Sequence, residues 1–278
     1  MRVLTFNMLN IEADEPRRRP VIAAGIQALQ PDVIGFQEAA YGPLAPGGHQ
    51  VRTLLDGLGY QVLHQFDGDP SPNQIEGTCI ASRWPVTLVE QVRYPETDRL
   101  RGHALGAQLA RIDAPDPIGP FLFVNNKPAW RLDHEYERET QAVQLVGAIE
   151  KHSRRDWFPT VIAGDFDAAP DRASIRFLTG RQSLHGYSTE YWDAWESVQG
   201  NSDRPGFTWV IDNPLVVPVA ERLCGDRPRR RIDYIFVANR SMQDRPARIT
   251  ACQVVLDQPV DGVWASDHFG VLADIEPA

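Results

Sequence analysis

No apolar run in this sequence approaches the roughly 18 residues that a membrane-spanning helix requires. The chain enters a strand-like apolar pattern at Arg2, with no basic and apolar leader before it, so we expect no secretory signal and a cytoplasmic location. Hydrophobic residues still make up 42% of the 278 positions. That fraction argues against disorder and predicts a soluble, folded protein.

Cysteine is scarce, with three residues in the chain. Cys79, Cys224 and Cys252 are odd in number, far apart and set among apolar neighbours. This pattern favours buried, reduced thiols over a disulfide framework or a zinc site.

Basic residues are fewer than acidic ones: the chain has 28 Lys and Arg residues and 37 Asp and Glu residues, which gives a net charge of -9. An acidic protein repels a phosphate backbone at long range, so tight binding of long nucleic acid would need a local basic stripe. The dense basic runs, 17–19 and 227–231, are interpreted as solvated surface. Nucleic acid stays open as a partner, although the charge does not indicate it, because the carboxylates of a metal-dependent nuclease are themselves acidic.

Short apolar segments bounded by glycine or proline alternate with segments of helical spacing, which predicts a mixed α/β domain. We expect helices over 17–29, 51–58 and 133–152, and strands over 3–7, 32–38, 60–64, 77–82, 86–94, 104–112, 121–125, 161–167 and 231–237. Between 178 and 207 the periodicity decays into a loop or short helix. The candidate site residues are spread from Asn7 to His268, so we expect a single domain over 1–278.

Several apolar segments carry a polar group at or near one end. Burying an unpaired carboxylate costs several kcal/mol, so five such exceptions indicate one shared polar site. The segments are Val3-Leu4-Thr5-Phe6-Asn7, Asp32-Val33-Ile34-Gly35-Phe36-Gln37-Glu38, Val161-Ile162-Ala163-Gly164-Asp165-Phe166-Asp167, Arg231-Ile232-Asp233-Tyr234-Ile235-Phe236-Val237 and Ser266-Asp267-His268.

Four of these motifs, in this order, resemble the endonuclease/exonuclease/phosphatase family, which includes DNase I-like nucleases, neutral sphingomyelinases and inositol polyphosphate 5-phosphatases. The resemblance runs from about Arg2 to Ile275 and implies a four-layer α/β sandwich, with two mixed β-sheets face to face and helices outside. It also implies a metal-dependent phosphoesterase that hydrolyses a phosphodiester or phosphomonoester by in-line attack of water. The motifs are Gln37-Glu38, Gly164-Asp165-Phe166-Asp167, Arg231-Ile232-Asp233-Tyr234 and Ser266-Asp267-His268.

The resemblance implies a divalent ion, Mg²⁺ or Mn²⁺, held by Glu38 and Asp267. Asn7 would supply an amide oxygen or hydrogen bonds beside it. Carboxylate oxygens are the ligands that these hard cations prefer.

The resemblance also implies the catalytic residues. Asp165 would orient or deprotonate the attacking water, and Asp167, at a position more often occupied by asparagine, would support the transition state or the metal. If the strand stays extended through Phe166, both carboxylates project to one side. His268 would contact the phosphate and the water, since an imidazole exchanges protons near neutrality, and Asp233 would hold its tautomer.

The clearest departure from the family falls at Val124-Asn125-Asn126-Lys127-Pro128. Most members have a histidine, which donates to the scissile phosphate, where we align Asn126. Asparagine donates a neutral hydrogen bond, and charge-assisted bonds are roughly twice as strong. Lys127 could compensate, and the substitution could be natural or introduced.

Three further residues are candidates for substrate binding. Glu76 resembles the acid that pairs with the missing histidine in DNase I-like enzymes, Arg101 resembles their phosphate-contacting arginine, and Trp130 follows Asn126 closely enough to line a substrate mouth. The departures at Asn126 and Asp167 leave a second interpretation open, a catalytically impaired or non-catalytic phosphate-binding member of the same fold.

Overall fold

The structure is a computed structural model that describes residues 1–67, 76–100, 105–200, 202–224, 228–242 and 244–278, the side chain of Arg240 aside. The expected position of Arg101 lies outside the described residues. The strands are β1 Arg2–Asn7, β2 Val33–Ala40, β3 Gln61–His64, β4 Glu76–Ser82, β5 Val86–Arg93, β6 Gly106–Asp113, β7 Pro120–Lys127, β8 Phe158–Asp165, β9 Tyr191–Asp193, β10 Trp209–Val210, β11 Arg229–Arg230, β12 Asp233–Ala238, β13 Ala247–Val255 and β14 Gly270–Pro277.

The α-helices in the described part of the chain are α1 Glu15–Leu29, α2 Gln50–Leu54, α3 Glu135–His152, α4 Ala173–Leu178, α5 Ala194–Gln199 and α6 Val217–Leu223. The expected helices over 17–29 and 133–152 are present, whereas the one expected over 51–58 ends four residues early. None of the helices described is long and apolar enough to cross a membrane.

The strands form two mixed six-stranded sheets. The first has the order β13-β14-β1-β2-β4-β3 and the second β5-β6-β7-β8-β12-β9. In the first sheet β1 is parallel to β2 and antiparallel to β14, so the two ends of the sequence lie side by side. In the second, β7 is parallel to β8, and β12 runs antiparallel to β8.

The sheets pack face to face with helices on their outer faces. Val3, Phe123 and Val271 belong to the core between the sheets. A second core packs the outer face of one sheet against α1, and a third packs the other sheet against α3 and α4. This arrangement confirms the expected four-layer sandwich.

A small cap sits beside the sandwich. We define it as β10, α6 and β11; β10 and β11 pair with each other, and Trp209, Val216, Ala220 and Ile232 form its own apolar cluster. It begins just after the expected irregular segment 178–207, which contains β9 and α5.

The cysteines are free thiols. Cys79 and Cys252 are buried, as expected, but Cys224 is only half-buried because it ends α6 at the edge of the cap.

Candidate active site

Glu38 projects from an irregularity in β2. The register between β2 and β4 shifts between Phe36 and Ala39, and Glu38 itself has a left-handed φ of 51°. A non-glycine residue in this conformation is strained by roughly 1–3 kcal/mol, a cost seen most often at functional positions. The bulge interrupts the regular course of β2 and directs the Glu38 carboxylate to the end of the sandwich.

Asn7, the last residue of β1, lies beside Glu38 because the parallel register sets it opposite Gln37. Its Nδ2 donates to Glu38 Oε1 and to Asp165 Oδ2, both at 2.9 Å, while its Oδ1 accepts from the backbone N–H of Leu9. The side chain is fully buried. Asn7 therefore connects a carboxylate of the first sheet to one of the second.

Asp165 and Asp167 both form an ion pair with the ammonium group of Lys127. Lys127 Nζ lies 2.5 Å from Asp165 Oδ2, 2.7 Å from Asp167 Oδ2 and 3.2 Å from Glu38 Oε1. Burial alone would lower the pKa of Lys127, but the three carboxylates hold it well above its ordinary value. The ammonium is thus a fixed positive charge within an acidic cluster.

The backbone does not stay extended through Phe166, so the strand geometry that would project both carboxylates to one side is not present. β8 ends at Asp165, and Asp167 has a left-handed φ of 50°, with its N–H donating to Asp165 Oδ1. Phe166 does point into the core, where its ring packs edge-on against Tyr234. A tight turn, rather than strand alternation, brings the two carboxylates together.

Asn126 is not part of this cluster, so its expected position needs correction. Successive residues of a strand face opposite sides of the sheet. Lys127 and Asn125 face the other sheet, where Asn125 accepts from Gln37 Nε2 at 2.7 Å. Asn126 faces the helix layer, and its Oδ1 accepts from the Tyr94 hydroxyl at 2.5 Å. The charged donor on β7 that reaches the cluster is Lys127.

His268 and Asp233 form the second part of the site. The antiparallel register places Asp233 directly opposite Asp165, and Asp233 Oδ2 lies 3.0 Å from His268 Nδ1. His268 Nε2 is 3.8 Å from Asp165 Oδ2. Burial opposes protonation of His268, yet the carboxylates of Asp233 and Asp165 raise its pKa well above the usual value.

Asp165, Asp233 and His268 each offer one potential ligand atom, and those atoms lie within 4.8 Å of one another. These atoms already have partners, since Asp165 Oδ2 accepts from Asn7 and Lys127 and His268 Nδ1 is bonded to Asp233. The group is therefore better suited to hold or move a proton than to enclose a cation.

Asp267 faces the cavity together with Glu38. The indole Nε1 of Trp209 donates to its Oδ2 at 3.4 Å, and the Ser266 hydroxyl to its Oδ1 at 3.2 Å. Burial, with the charge of Glu38 adding to it, raises the pKa of Asp267. Two mutually repelling carboxylates in one cavity wall are a hard oxygen donor set, and this fits Mg²⁺ or Mn²⁺.

Glu76 and Trp130 also line this cavity. Glu76 accepts from Asn10 Nδ2 at 2.6 Å, and burial, aided by Glu38, raises the pKa of Glu76 to about 7. Trp130 lies in the loop after β7, held by Arg138, which donates to the carbonyls of Ala129 and Arg131.

Arg18 is a residue that the sequence analysis did not single out. Although α1 lies on the surface, Arg18 is 1% exposed, and its guanidinium donates to six backbone carbonyls. Five of them belong to the loop after β1, which contains Asn10, and the sixth is Ala265, next to the Ser266-Asp267-His268 motif. The acceptors are Met8, Leu9, Asn10, Glu12, Ala13 and Ala265. Arg18 thus ties two loops of the site together.

The cavity has a volume of about 230 Å³ and two chemically different sides. Its base carries the acidic cluster with Lys127 and His268. The rest of the lining comes from the cap, from Leu105 and from the loop after β7. These lining residues are Leu105, Trp130, Leu132, Val219, Arg222, Leu223, Cys224 and Arg230.

Similar folds occur among proteins of known structure. The chain matches Danio rerio TDP2, solved in complex with a single-strand DNA product, with a TM-score of 0.72 and 17% identity over 99% of this chain and 98% of that one. It matches the human Nocturnin catalytic domain, solved with a bound sulfate anion, with a TM-score of 0.71 and 20% identity over 100% and 94%. At these low identities, the TM-scores show a shared fold.

A Bacteroides vulgatus endonuclease/exonuclease/phosphatase has a TM-score of 0.68 and 18% identity, covering 100% of this chain and 98% of that one. No curated protein matches the sequence significantly. The model of the Endonuclease/Exonuclease/phosphatase family, however, matches residues 4–268, a span that begins within β1 and ends at the buried His268. With that match and the four-layer fold, this chain belongs to the endonuclease/exonuclease/phosphatase family.

Proposed function

We propose that this protein is a metal-dependent phosphoesterase that hydrolyses a phosphodiester, or a phosphomonoester, by in-line attack of water. The observation that carries the proposal is the convergence at one cavity of Glu38 and Asp267, the Lys127 ammonium and the Asp233–His268 pair. Together they provide cation ligands, a charged donor and a proton-transfer group, which phosphoryl transfer requires.

Glu38 and Asp267 would hold the divalent ion, Mg²⁺ or Mn²⁺, with Asn7 fixing the Glu38 carboxylate through its amide. When bound, such an ion neutralises charge on a phosphate oxygen and orients the ester. Of the three cysteines, Cys224 lines the cavity and Cys79 and Cys252 are buried elsewhere, so the thiols do not form the cluster that a soft-metal site needs.

Side chains of the protein would activate the attacking water and donate hydrogen bonds to the phosphate. Asp165 would orient or deprotonate the attacking water, and Asp167, whose pKa is raised to about 7 by burial beside Asp165, would support the transition state. Asp165 keeps Lys127 and Asn7 in place. His268, held through Nδ1 by Asp233, would donate from Nε2 to the phosphate, and Lys127 would add a second charged hydrogen bond.

The substrate is proposed to be a small phosphate ester. The net charge of -9 disfavours a long phosphate backbone, and the cavity of about 230 Å³ is on the scale of a small molecule. Single-stranded DNA is retained as an alternative only because a structurally similar protein, TDP2, was solved with a DNA product.

Hydrolysis of bis(4-nitrophenyl) phosphate with added Mg²⁺ or Mn²⁺ tests the proposal. We expect ion-dependent turnover in the wild type and its loss in Glu38→Ala, together with weaker ion binding measured by calorimetry. Glu150→Gln, which removes an exposed carboxylate of α3, is the matched control. Ion binding unchanged by Glu38→Ala would refute the assignment of the ligand.

A non-catalytic phosphate-binding role is the second candidate. It is favoured by one observation, that the Lys127 ammonium already occupies the space among three carboxylates. Absence of turnover over a panel of DNA, RNA, sphingomyelin, phosphoinositide and small phosphodiesters, with retained phosphate binding, would support this candidate instead.

A further inference from the structure

We propose that Arg222 and Arg230 form a subsite for a second anionic group of the substrate, in the same cavity as the proposed reaction centre. The inference rests on the proposed function and deepens it. The substrate class is then a small phosphate ester with another phosphate or an equivalent anion, separated from the first by a less polar ring or chain.

The first argument is the placement of the two guanidinium groups. Arg222 lies on α6 and Arg230 on β11, and both line the cavity that Lys127 and His268 line at its base. β11 pairs with β10 so that Arg230 lies opposite Trp209, whose indole bonds to Asp267. The cap therefore brings two positive charges to the cavity that Lys127 and His268 also line.

The second argument is that these two charges have no partner among the residues that the structure describes. Neither Arg222 nor Arg230 makes an ion pair or side-chain hydrogen bond with any residue in the described ranges. Their neighbours behave differently, since Arg229 bonds to Asp212 and Arg231 to Asp193 at 2.6 Å. A guanidinium presents a planar fork of donors that matches phosphate oxygens, so two free ones in a concave wall indicate an anion site.

The third argument is the apolar band beside them. Val219 and Leu223 of α6, with Trp130 and Leu132 of the loop after β7, line the same cavity. Apolar side chains cannot compensate the desolvation of an anion. A ligand that fills the cavity should therefore have a less polar ring or chain in addition to its two anionic groups.

A matched pair of chromogenic esters tests the subsite. The 4-nitrophenyl ester of thymidine 5′-phosphate has one phosphate, and its 3′-phosphorylated counterpart adds a second without changing the scissile bond. With the wild type and Mg²⁺ we expect kcat/KM to be at least about tenfold higher for the second ester, equal to about 1.4 kcal/mol.

Arg222→Gln/Arg230→Gln should bring the ratio of the two kcat/KM values close to one. Arg229→Gln is the control, because Arg229 lies next to Arg230 but is exposed and paired with Asp212, and it should keep the preference. Equal kcat/KM values for the two esters in the wild type, or a preference that survives in the double variant, would overturn the subsite while leaving the proposed hydrolysis intact.

Calorimetry separates failure of the subsite from failure of the proposed function. If neither ester is turned over, thymidine 3′,5′-bisphosphate should still bind the wild type more tightly than thymidine 5′-monophosphate, and the double variant should lose that difference. Such a result would support the subsite and reject hydrolysis of these esters. Equal affinities for the two nucleotides would reject the subsite.

Discussion

Lys127→Gln should lower kcat for bis(4-nitrophenyl) phosphate by about 10²–10³-fold, the effect typical of removing one preorganised donor to transition-state charge, or about 2.7–4 kcal/mol. The side chain is 9% exposed, and its Nζ lies within 3.2 Å of carboxylate oxygens from Glu38, Asp165 and Asp167. Glutamine keeps a neutral donor of similar reach but removes the charge. The loss would therefore report the charge rather than the shape of the side chain.

Asn126→Ala is the matched control, because Asn126 is the preceding residue on β7 and faces the helix layer. Its loss leaves the Tyr94 hydroxyl without an acceptor, which costs about 1–3 kcal/mol of stability. We expect kcat to stay within about threefold of the wild type, or about 0.6 kcal/mol in barrier height.

The assay is initial-rate hydrolysis at saturating Mg²⁺, with urea unfolding of each variant to separate stability from catalysis. A near-normal kcat in Lys127→Gln would refute the assigned role of the ammonium. An equal fall of kcat in Lys127→Gln and Asn126→Ala would contradict the conclusion that Lys127, and not Asn126, serves the reaction centre.

His268→Ala should lower kcat by at least about a hundredfold, the scale of a general acid-base group, measured in the same assay. Arg18→Met should lower the free energy of unfolding in urea by at least about 3 kcal/mol, because several buried carbonyls lose their donor. Burial lowers the pKa of His64 to about 4, so its contribution to stability is present above pH 6.5 and is lost as the pH falls through about 4. The loss amounts to about 3 kcal/mol. In unfolding experiments between pH 7 and 4, His64→Gln should make the free energy of unfolding depend less on pH, whereas a substitution of the exposed His185 should not.

The sequence by itself determined the class of the fold and indicated the carboxylates that belong to a polar site. Buried strands and amphipathic helices follow from the spacing of apolar residues, and most of these elements lie where the spacing predicts. The carboxylates of Glu38, Asp165 and Asp267 stand out because a charged residue next to a buried strand costs free energy unless it has a partner. Their order along the chain was sufficient to indicate the family.

The tertiary structure alone decided which side chains meet. A shift of one residue along a strand moves a side chain to the opposite face. The sequence alignment put Asn126 at the cluster, whereas the register of β7 with β6 and β8 puts Lys127 there. The turn at Asp167 and the bulge at Glu38 depend on contacts between sheets that local propensity does not encode. The position of Arg18, and of Arg222 on the cap, is likewise set by packing between segments distant in sequence. These long-range contacts give the cavity its charged base and its apolar wall.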